Sequence, residues 1–261
     1  MKKIYFTHIP KTAGTSLEQI FYNAKSKYNN KDYCIGICYY KFNIKYNKNF
    51  YKIFLKNNIY KIIIRNTNDW WNMQFFHIPL SFWKDDKILE YKNKFNIFCI
   101  VRNPYDRFVS DFKFWIKFNN EPNEDIRKYF KKILIHINNI FDSNFDLTKD
   151  NLNRMVKKLL SEKKYYYALD GHLIPQYKFV YTKIDNKVIQ ITDNILKFEN
   201  LYEDLINFKN KYAPLINKND IKTINIHKTD SNFNAKYLNE ESKKLIREFY
   251  KKDFLYFNYK Y

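Results

Sequence analysis

The sequence has few cysteines, the residues that form disulfides and bind structural zinc. It contains three cysteines, Cys34, Cys38 and Cys99. An odd number without regular spacing argues against a disulfide-stapled secreted domain. Cys34 and Cys38 are four residues apart, but no second Cys/His pair completes a zinc site. We therefore expect buried or incidental thiols.

Long apolar runs are also missing. No stretch of about 20 apolar residues could form a transmembrane helix. The first residues reach His8 and Pro10 too early for a signal peptide. Only 3 of the 261 residues are glycine, and we find no repeat and no Gly/Ser/Pro linker. The sequence thus predicts a cytoplasmic chain without a membrane span, folded as one domain over residues 1–261.

Acidic residues are scarce relative to basic ones. The chain has 27 Asp and Glu against 47 Lys and Arg, a formal net charge of +20. Such a surface attracts polyanions such as nucleic acids, acidic glycans, anionic lipids or nucleotides. The richness in Lys, Asn, Ile and aromatics, with little Gly, also matches AT-rich codons. The charge alone therefore identifies no partner.

Apolar runs of strand length alternate with segments of helical periodicity. Runs that are apolar on both faces are typical of the centre of a parallel sheet. Alternating strands and helices predict an α/β fold with a central, mainly parallel sheet flanked by helices. The predicted strands are Lys3–Ile9, Ile59–Arg65, Asn96–Arg102, Val180–Ile184 and Val188–Thr192, and the predicted helices contain Leu17, Phe108, Ile126, Leu152, Phe198 and Leu245.

The first candidate anion site lies between a predicted strand and a predicted helix. We call it the phosphate loop, and it comprises Lys11, Thr12, Ala13, Gly14, Thr15 and Ser16. Backbone N–H groups and the helix dipole converge on an anion in such a position. Gly14 would let the backbone approach a phosphate, the hydroxyls would donate, and Lys11 adds a positive charge. The order differs from a Walker A loop, in which Lys follows the glycine. The alternative is a polar turn that simply begins a helix.

A second candidate anion site follows the strand Asn96–Arg102. Asn103 is suited to cap a helix and Pro104 to open it. Arg102 then lies at the carboxyl end of a buried strand, where open α/β sheets bind ligands. Arg102 and Ser110 are candidates for phosphate contact, whereas a structural ion pair is the expected role of Arg107.

Two anion sites at strand–helix junctions suit a ligand with phosphates at both ends. With these motifs the sequence resembles the sulfotransferases, most closely the heparan sulfate 2-O- and 6-O-sulfotransferase branch. The resemblance implies a P-loop-like fold, with 3′-phosphoadenosine-5′-phosphosulfate (PAPS) as co-substrate and adenosine 3′,5′-bisphosphate (PAP) as product. It implies that the phosphate loop holds the 5′-phosphosulfate, and that Arg102 and Ser110 hold the 3′-phosphate.

Three further segments resemble this family more loosely: Asp170–Gln176, Lys197–Leu201 with Asp204, and Asn225–Ser231 with the last helix. By the same resemblance Lys228 and Thr229 would close over the nucleotide, the alternative being an ordinary solvated loop. Residues Tyr22–Phe75 resemble nothing we can place.

Attack by a hydroxyl needs a general base, and histidine titrates near working pH. His77 occupies a position similar to the catalytic histidine segment of the glycan branch and is the candidate base. His172 is the alternative base, or else a structural loop histidine. His8 is expected to orient the phosphate loop and His136 to be structural. Lys11 would stabilise charge on the leaving phosphate.

The sequence lacks an evident carboxylate cluster for Mg²⁺, so we expect no metal. The expected activity is sulfuryl transfer from PAPS to a hydroxyl, on a carbohydrate because the resembling branch uses glycans. Specific nucleic-acid binding is not expected, and the oligomeric state stays open. The alternatives are a kinase with an atypical phosphate loop that uses ATP and Mg²⁺, and a non-catalytic module that binds heparin or nucleic acid.

Overall fold

The structure is a computed structural model. It describes residues 3–28, 33–35, 55–56, 77–119, 122, 124, 146–162, 165–167, 169–214, 216–222 and 232–261. The strands are β1 Lys3–Thr7, β2 Tyr33–Ile35, β3 Phe95–Val101, β4 Tyr181–Ile184, β5 Lys187–Gln190 and β6 Asn194–Lys197. The α-helices are α1 Gly14–Tyr28, α2 Asp85–Lys94, α3 Pro104–Asn119, α4 Lys149–Ser161, α5 Tyr177–Val180, α6 Leu201–Tyr212, α7 Lys218–Lys222, α8 Glu240–Phe249 and α9 Lys251–Tyr256.

The chain forms two units, each built from segments that are separate in sequence. The sheet unit comprises Met1–Arg65, Gln74–Arg102 and Gln176–His227, and the helical unit comprises Asn66–Met73, Asn103–Pro175 and Lys228–Tyr261. The expected single domain over residues 1–261 stays a prediction.

A four-stranded parallel sheet organises the sheet unit. Its order is β2-β1-β3-β6, and each neighbouring pair runs parallel. Parallel strands need a crossover between them, and the crossover that follows β2 passes β1 to reach β3 on its other side. The predicted α/β class and the mainly parallel sheet are confirmed.

Alternating side chains of the central strands form one face of this sheet. Phe6 of β1 and Phe98 of β3 are buried side by side, with ring centroids 5.0 Å apart. They pack with Phe21 of α1 and Phe208 of α6 in one apolar cluster. Strand residues of alternate register share a face, so this face of the sheet packs against α1 and α6. Removing either buried phenylalanine would cost about 3–5 kcal/mol.

The predicted strands Val180–Ile184 and Val188–Thr192 form the antiparallel hairpin β4–β5. Asp185 and Asn186 join them with φ values of 46° and 63°. Asp and Asn tolerate this left-handed conformation, which matches the twist of a two-residue hairpin. The hairpin is therefore encoded locally.

The helical unit has its own aromatic core. Trp115 of α3, Met155 of α4 and Ile246 of α8 lie in one buried cluster.

Helix α3 begins as predicted: Pro104 is its first residue, and the Asn103 side-chain oxygen accepts from the Tyr105 N–H at 2.9 Å. A cap of this kind stabilises a helix by about 1 kcal/mol.

Two predicted elements, the strand Ile59–Arg65 and the helix containing Ile126, lie outside the described residues. Within the described part of the chain, each helix is too short or too polar to pass through a bilayer.

Candidate functional site

The phosphate loop follows β1 directly and leads into α1. Lys11 has φ 68° and Ala13 has φ 71°. Both residues are therefore in the left-handed region, which costs a residue with a Cβ about 1–2 kcal/mol. Alternation of left- and right-handed residues turns successive N–H groups towards one point and forms an anion-binding concavity. Both left-handed positions of the loop are thus occupied by residues other than glycine.

The start of α1 adds further N–H groups to this loop. The N–H of Leu17 donates to the carbonyl of Ala13 at 3.1 Å, so the helix hydrogen bonds begin there. The N–H groups of Gly14, Thr15 and Ser16 precede this bond, and the first N–H groups of a helix have no intrahelical acceptor. They lie at the positive end of the helix dipole.

The hydroxyls of the loop do not all serve as predicted. Thr12 is fully buried, and its hydroxyl donates to the carbonyl of Ile9 at 2.8 Å. The Thr12 hydroxyl therefore stabilises the loop itself, and the expected contact of Thr12 with a ligand stays a prediction. Thr15 is exposed and Ser16 half-buried.

Gly14 has a packing role that sequence reasoning did not find. A Cβ on Gly14 would lie 2.3 Å from Nε2 of His8 and 2.5 Å from its Cδ2. These separations are far below van der Waals contact, so the imidazole of His8 fills the space a side chain would need. The glycine permits close contact between the end of β1 and the start of α1.

His8 is the first residue after β1 and is 7% exposed. Its Nδ1 lies 2.8 Å from Oε1 of Glu18 on α1. An ionised carboxylate only accepts hydrogen bonds, so we assign the proton to Nδ1. The ring of His8 also meets the ring of His77 edge to face, with centroids 4.9 Å apart and planes at 85°. The structure thereby places the predicted base, His77, beside a residue that contacts the phosphate loop.

Arg102 follows β3 and lies at the same sheet edge as the loop. Its Nη1 donates to the carbonyl of Lys11 at 3.3 Å. Its guanidinium carbon lies 4.0 Å from the centre of the Phe198 ring, a stacking geometry that suits arginine. The structure therefore brings the Arg102 side chain against the backbone of the phosphate loop at Lys11.

Gln176 holds the backbone of Arg102 in place. Its side-chain oxygen accepts from the Arg102 N–H at 2.8 Å, and its side-chain nitrogen donates to the Arg102 carbonyl at 2.8 Å. This amide pairs with the backbone as a neighbouring strand would, just beyond the end of β3. Gln176 is fully buried, so its loss would leave backbone groups unpaired.

The sheet order explains why these residues meet. Strands β1, β3 and β6 are adjacent and parallel, so their carboxyl ends form one edge, where α/β sheets bind ligands. Lys11 follows β1, Arg102 follows β3 and Phe198 follows β6. Asp204 of α6 accepts from the Lys197 N–H at 2.7 Å and anchors the end of β6.

Other candidates lie in the helical unit. Ser110 is a half-buried residue of α3, and its phosphate contact stays a prediction. Arg107 is buried and donates to the carbonyls of His172 and Ile174 at 2.6 and 3.1 Å. Arg107 is expected from the sequence to form a structural ion pair, and the structure shows it donating to two backbone carbonyls.

His172 lies in the aromatic core of the helical unit. Its Nδ1 is 2.5 Å from Oδ1 of Asp111, and its ring packs against Phe114 and Trp115. These contacts agree with the structural interpretation of His172. Nearby, burial raises the pKa of Tyr250 well above its usual range; its hydroxyl donates to the carbonyl of Leu173 at 3.0 Å.

Sequence reasoning missed three residues that shape the site: Glu18, Gln176 and Phe198. Gln176 and Phe198 lie in segments with family resemblance, but their contacts with Arg102 join positions far apart in sequence. In the sequence, nothing distinguishes Glu18 from the other polar residues of α1. Lys228 and Thr229 lie outside the described residues, as does His136.

Comparison with models of known protein families gives a match to this chain. The family model described as "Sulfotransferase family" matches residues 1–260. No curated protein matches the chain, and no solved structure does. Since the match covers nearly the whole sequence, the chain, with its P-loop-like α/β fold, belongs to the sulfotransferase family.

Proposed function

We propose that this sulfotransferase takes its sulfuryl group from PAPS, passes it to a hydroxyl of a carbohydrate, and releases PAP. The observation that supports the donor assignment is that Arg102 lies beside the phosphate loop at one sheet edge, where its Nη1 donates to the backbone carbonyl of Lys11 at 3.3 Å. A donor with phosphate groups at both ends needs two cationic contacts in one site.

The residues fit such a donor. The left-handed conformations of Lys11 and Ala13 and the first N–H groups of α1 suit a tetrahedral anion. Arg102 adds a planar guanidinium held on Phe198, and such a fork binds phosphate oxygens in pairs. The phosphate loop would hold the 5′-phosphosulfate and Arg102 the 3′-phosphate. The predicted contacts of Ser110, Lys228 and Thr229 stay predictions.

In the reaction, the acceptor oxygen forms a bond to sulfur while the bond from sulfur to the 5′-phosphate oxygen breaks. The acceptor proton passes to His77, which we propose as the general base. Lys11 and the loop N–H groups stabilise the negative charge that grows on the leaving phosphate. His77 is preferred to His172 because it contacts His8, whose ring packs on Gly14 of the loop.

The carbohydrate acceptor rests on the resemblance of the two anion sites to the glycan branch. The alternative hydroxyl acceptors are a protein tyrosine, a lipid and a small alcohol. A panel of labelled-sulfate transfer reactions with one member of each class separates them. Transfer to tyrosine alone would contradict the carbohydrate assignment and leave the donor assignment intact.

The donor is tested by thermal unfolding with PAP, ATP–Mg²⁺ or heparin. A ligand that binds only the folded state raises its stability, by about 2.7 kcal/mol at one hundred times its Kd. We expect stabilisation by PAP that Lys11→Ala removes. The matched control is Lys187→Ala, a change at an exposed lysine of the hairpin. Stabilisation by ATP–Mg²⁺ but not PAP would favour a kinase, and by heparin alone a binding module.

The base is tested by single-turnover transfer with His77→Ala. Loss of a general base lowers the rate of the chemical step by about 10²–10⁴-fold. We expect this loss with PAP affinity unchanged. Full activity of His77→Ala would contradict the assignment.

A further inference from the structure

Glu18, His8 and His77 form a continuous line of contacts within the sheet unit. Glu18 lies on α1, His8 follows β1, and His77 precedes the 3₁₀ turn Leu80–Phe82. His8 and Glu18 are linked by the 2.8 Å hydrogen bond, and His8 and His77 by the edge-to-face ring contact. All three side chains are buried, so water does not screen them strongly.

The carboxylate of Glu18 determines how the His8 ring is held. With the proton on Nδ1 directed at Glu18, the rotation and the tautomer of the imidazole are both specified. The opposite edge of the ring faces Gly14, where a Cβ would lie 2.3 Å from Nε2. The ring is therefore packed between the Glu18 carboxylate and Gly14 at the start of α1.

The ring of His77 packs against the ring of His8. Edge-to-face contacts between rings depend on the angle between their planes, and here that angle is 85°. A shift of His8 would move the surface against which His77 rests. Since misplacement of a reacting group by about 1 Å can lower a rate by about 100-fold, the position of His8 is transmitted to the proposed base.

From these contacts we infer that His8, held by Glu18, is a positioning residue for His77. Glu18 and His8 need not touch the substrate; they act through the orientation of the His77 imidazole. This inference rests on the proposed role of His77 as general base.

The test is a double-mutant cycle on the single-turnover transfer rate. Glu18→Gln keeps the size of the side chain and removes its charge, and we expect a fall in the rate of about 10- to 100-fold. In a His77→Ala background the same substitution should change the residual rate by less than about twofold, because residues that act as a unit are not additive. A purely structural role would lower the rate equally in both backgrounds, and that result would overturn the inference.

Glu203→Gln, an exposed change on α6, is the matched control and should leave both rates unchanged. His8→Phe combined with Glu18→Leu tests the mechanism a second way, since it keeps a ring beside Gly14 without a buried unpaired charge. We expect PAP affinity within about threefold of the wild type but a transfer rate as low as that of Glu18→Gln. A wild-type rate in this variant would also contradict the inference.

The outcomes separate this inference from the proposed function. If His77→Ala lowers the rate and Glu18→Gln does not, only the positioning role fails. If the wild type neither binds PAP nor transfers sulfate, the proposed function fails and the inference with it.

Discussion

Replacing Gly14 by alanine tests the packing of the phosphate loop most directly. The new Cβ would lie 2.3, 2.5 and 2.7 Å from Nε2, Cδ2 and Cε1 of His8. The imidazole would have to move by roughly 1 Å to restore van der Waals contact at about 3.5 Å. It is buried and bonded to Glu18 at 2.8 Å, so such a movement strains that hydrogen bond.

The expected change in the free energy of unfolding follows from two destabilising effects and one stabilising effect. Overpacking of a well-filled interior costs about 1–3 kcal/mol, and weakening a hydrogen bond to a charged group costs up to about 1.5–3 kcal/mol. Alanine is favoured over glycine in a helix by at most about 1 kcal/mol, which offsets part of this. We expect the free energy of unfolding to fall by about 2–3 kcal/mol. At about 2–4 °C per kcal/mol for a chain of this size, Tm should fall by roughly 4–12 °C.

The assay is urea unfolding followed by circular dichroism, with PAP titration on the same samples. His8→Ala supplies the control background because it removes the ring that the new Cβ would meet. In that background Gly14→Ala should be neutral or stabilising. Equal destabilisation in both backgrounds would refute the role of His8 and would indicate a backbone requirement at Gly14 instead.

Three further substitutions test the sheet edge and the core of the helical unit. Arg102→Lys removes the planar group stacked on Phe198, so the KM for PAPS should rise about tenfold; an unchanged KM would contradict donor contact by Arg102. Gln176→Leu leaves two backbone groups of Arg102 without their hydrogen-bond partner. The free energy of unfolding, measured by urea denaturation, should fall by about 2–4 kcal/mol. A fall of less than about 0.5 kcal/mol would show that stability does not depend on this pairing. Burial raises the pKa of Tyr250 in the folded state, so stability is retained below its unfolded pKa and declines above about pH 10, by up to 1.4 kcal/mol per pH unit. Tyr250→Phe should lessen this alkaline decline while costing about 1 kcal/mol at pH 7 for the lost hydrogen bond to Leu173; an identical alkaline slope in variant and wild type would contradict the assignment.

Local signals in the sequence determined several elements correctly. Asn103 and Pro104 mark the start of α3 because capping and the fixed φ of proline act within one helical turn. Asp185 and Asn186 mark the hairpin because the left-handed conformation is a property of each residue. The phosphate loop is recognisable because its residues lie next to each other. Each of these features depends on residues that are neighbours in the chain.

Only the tertiary structure decided which of these features meet. Gln176 holds Arg102 from 74 positions away, and Phe198 supports the same arginine from the end of a third strand. These contacts depend on the order β1-β3-β6, which follows from how the helices pack on the sheet and leaves no mark in any short segment. For the same reason the sequence predicted only that Gly14 lets the backbone approach a phosphate, while the structure shows that its missing side chain makes room for His8.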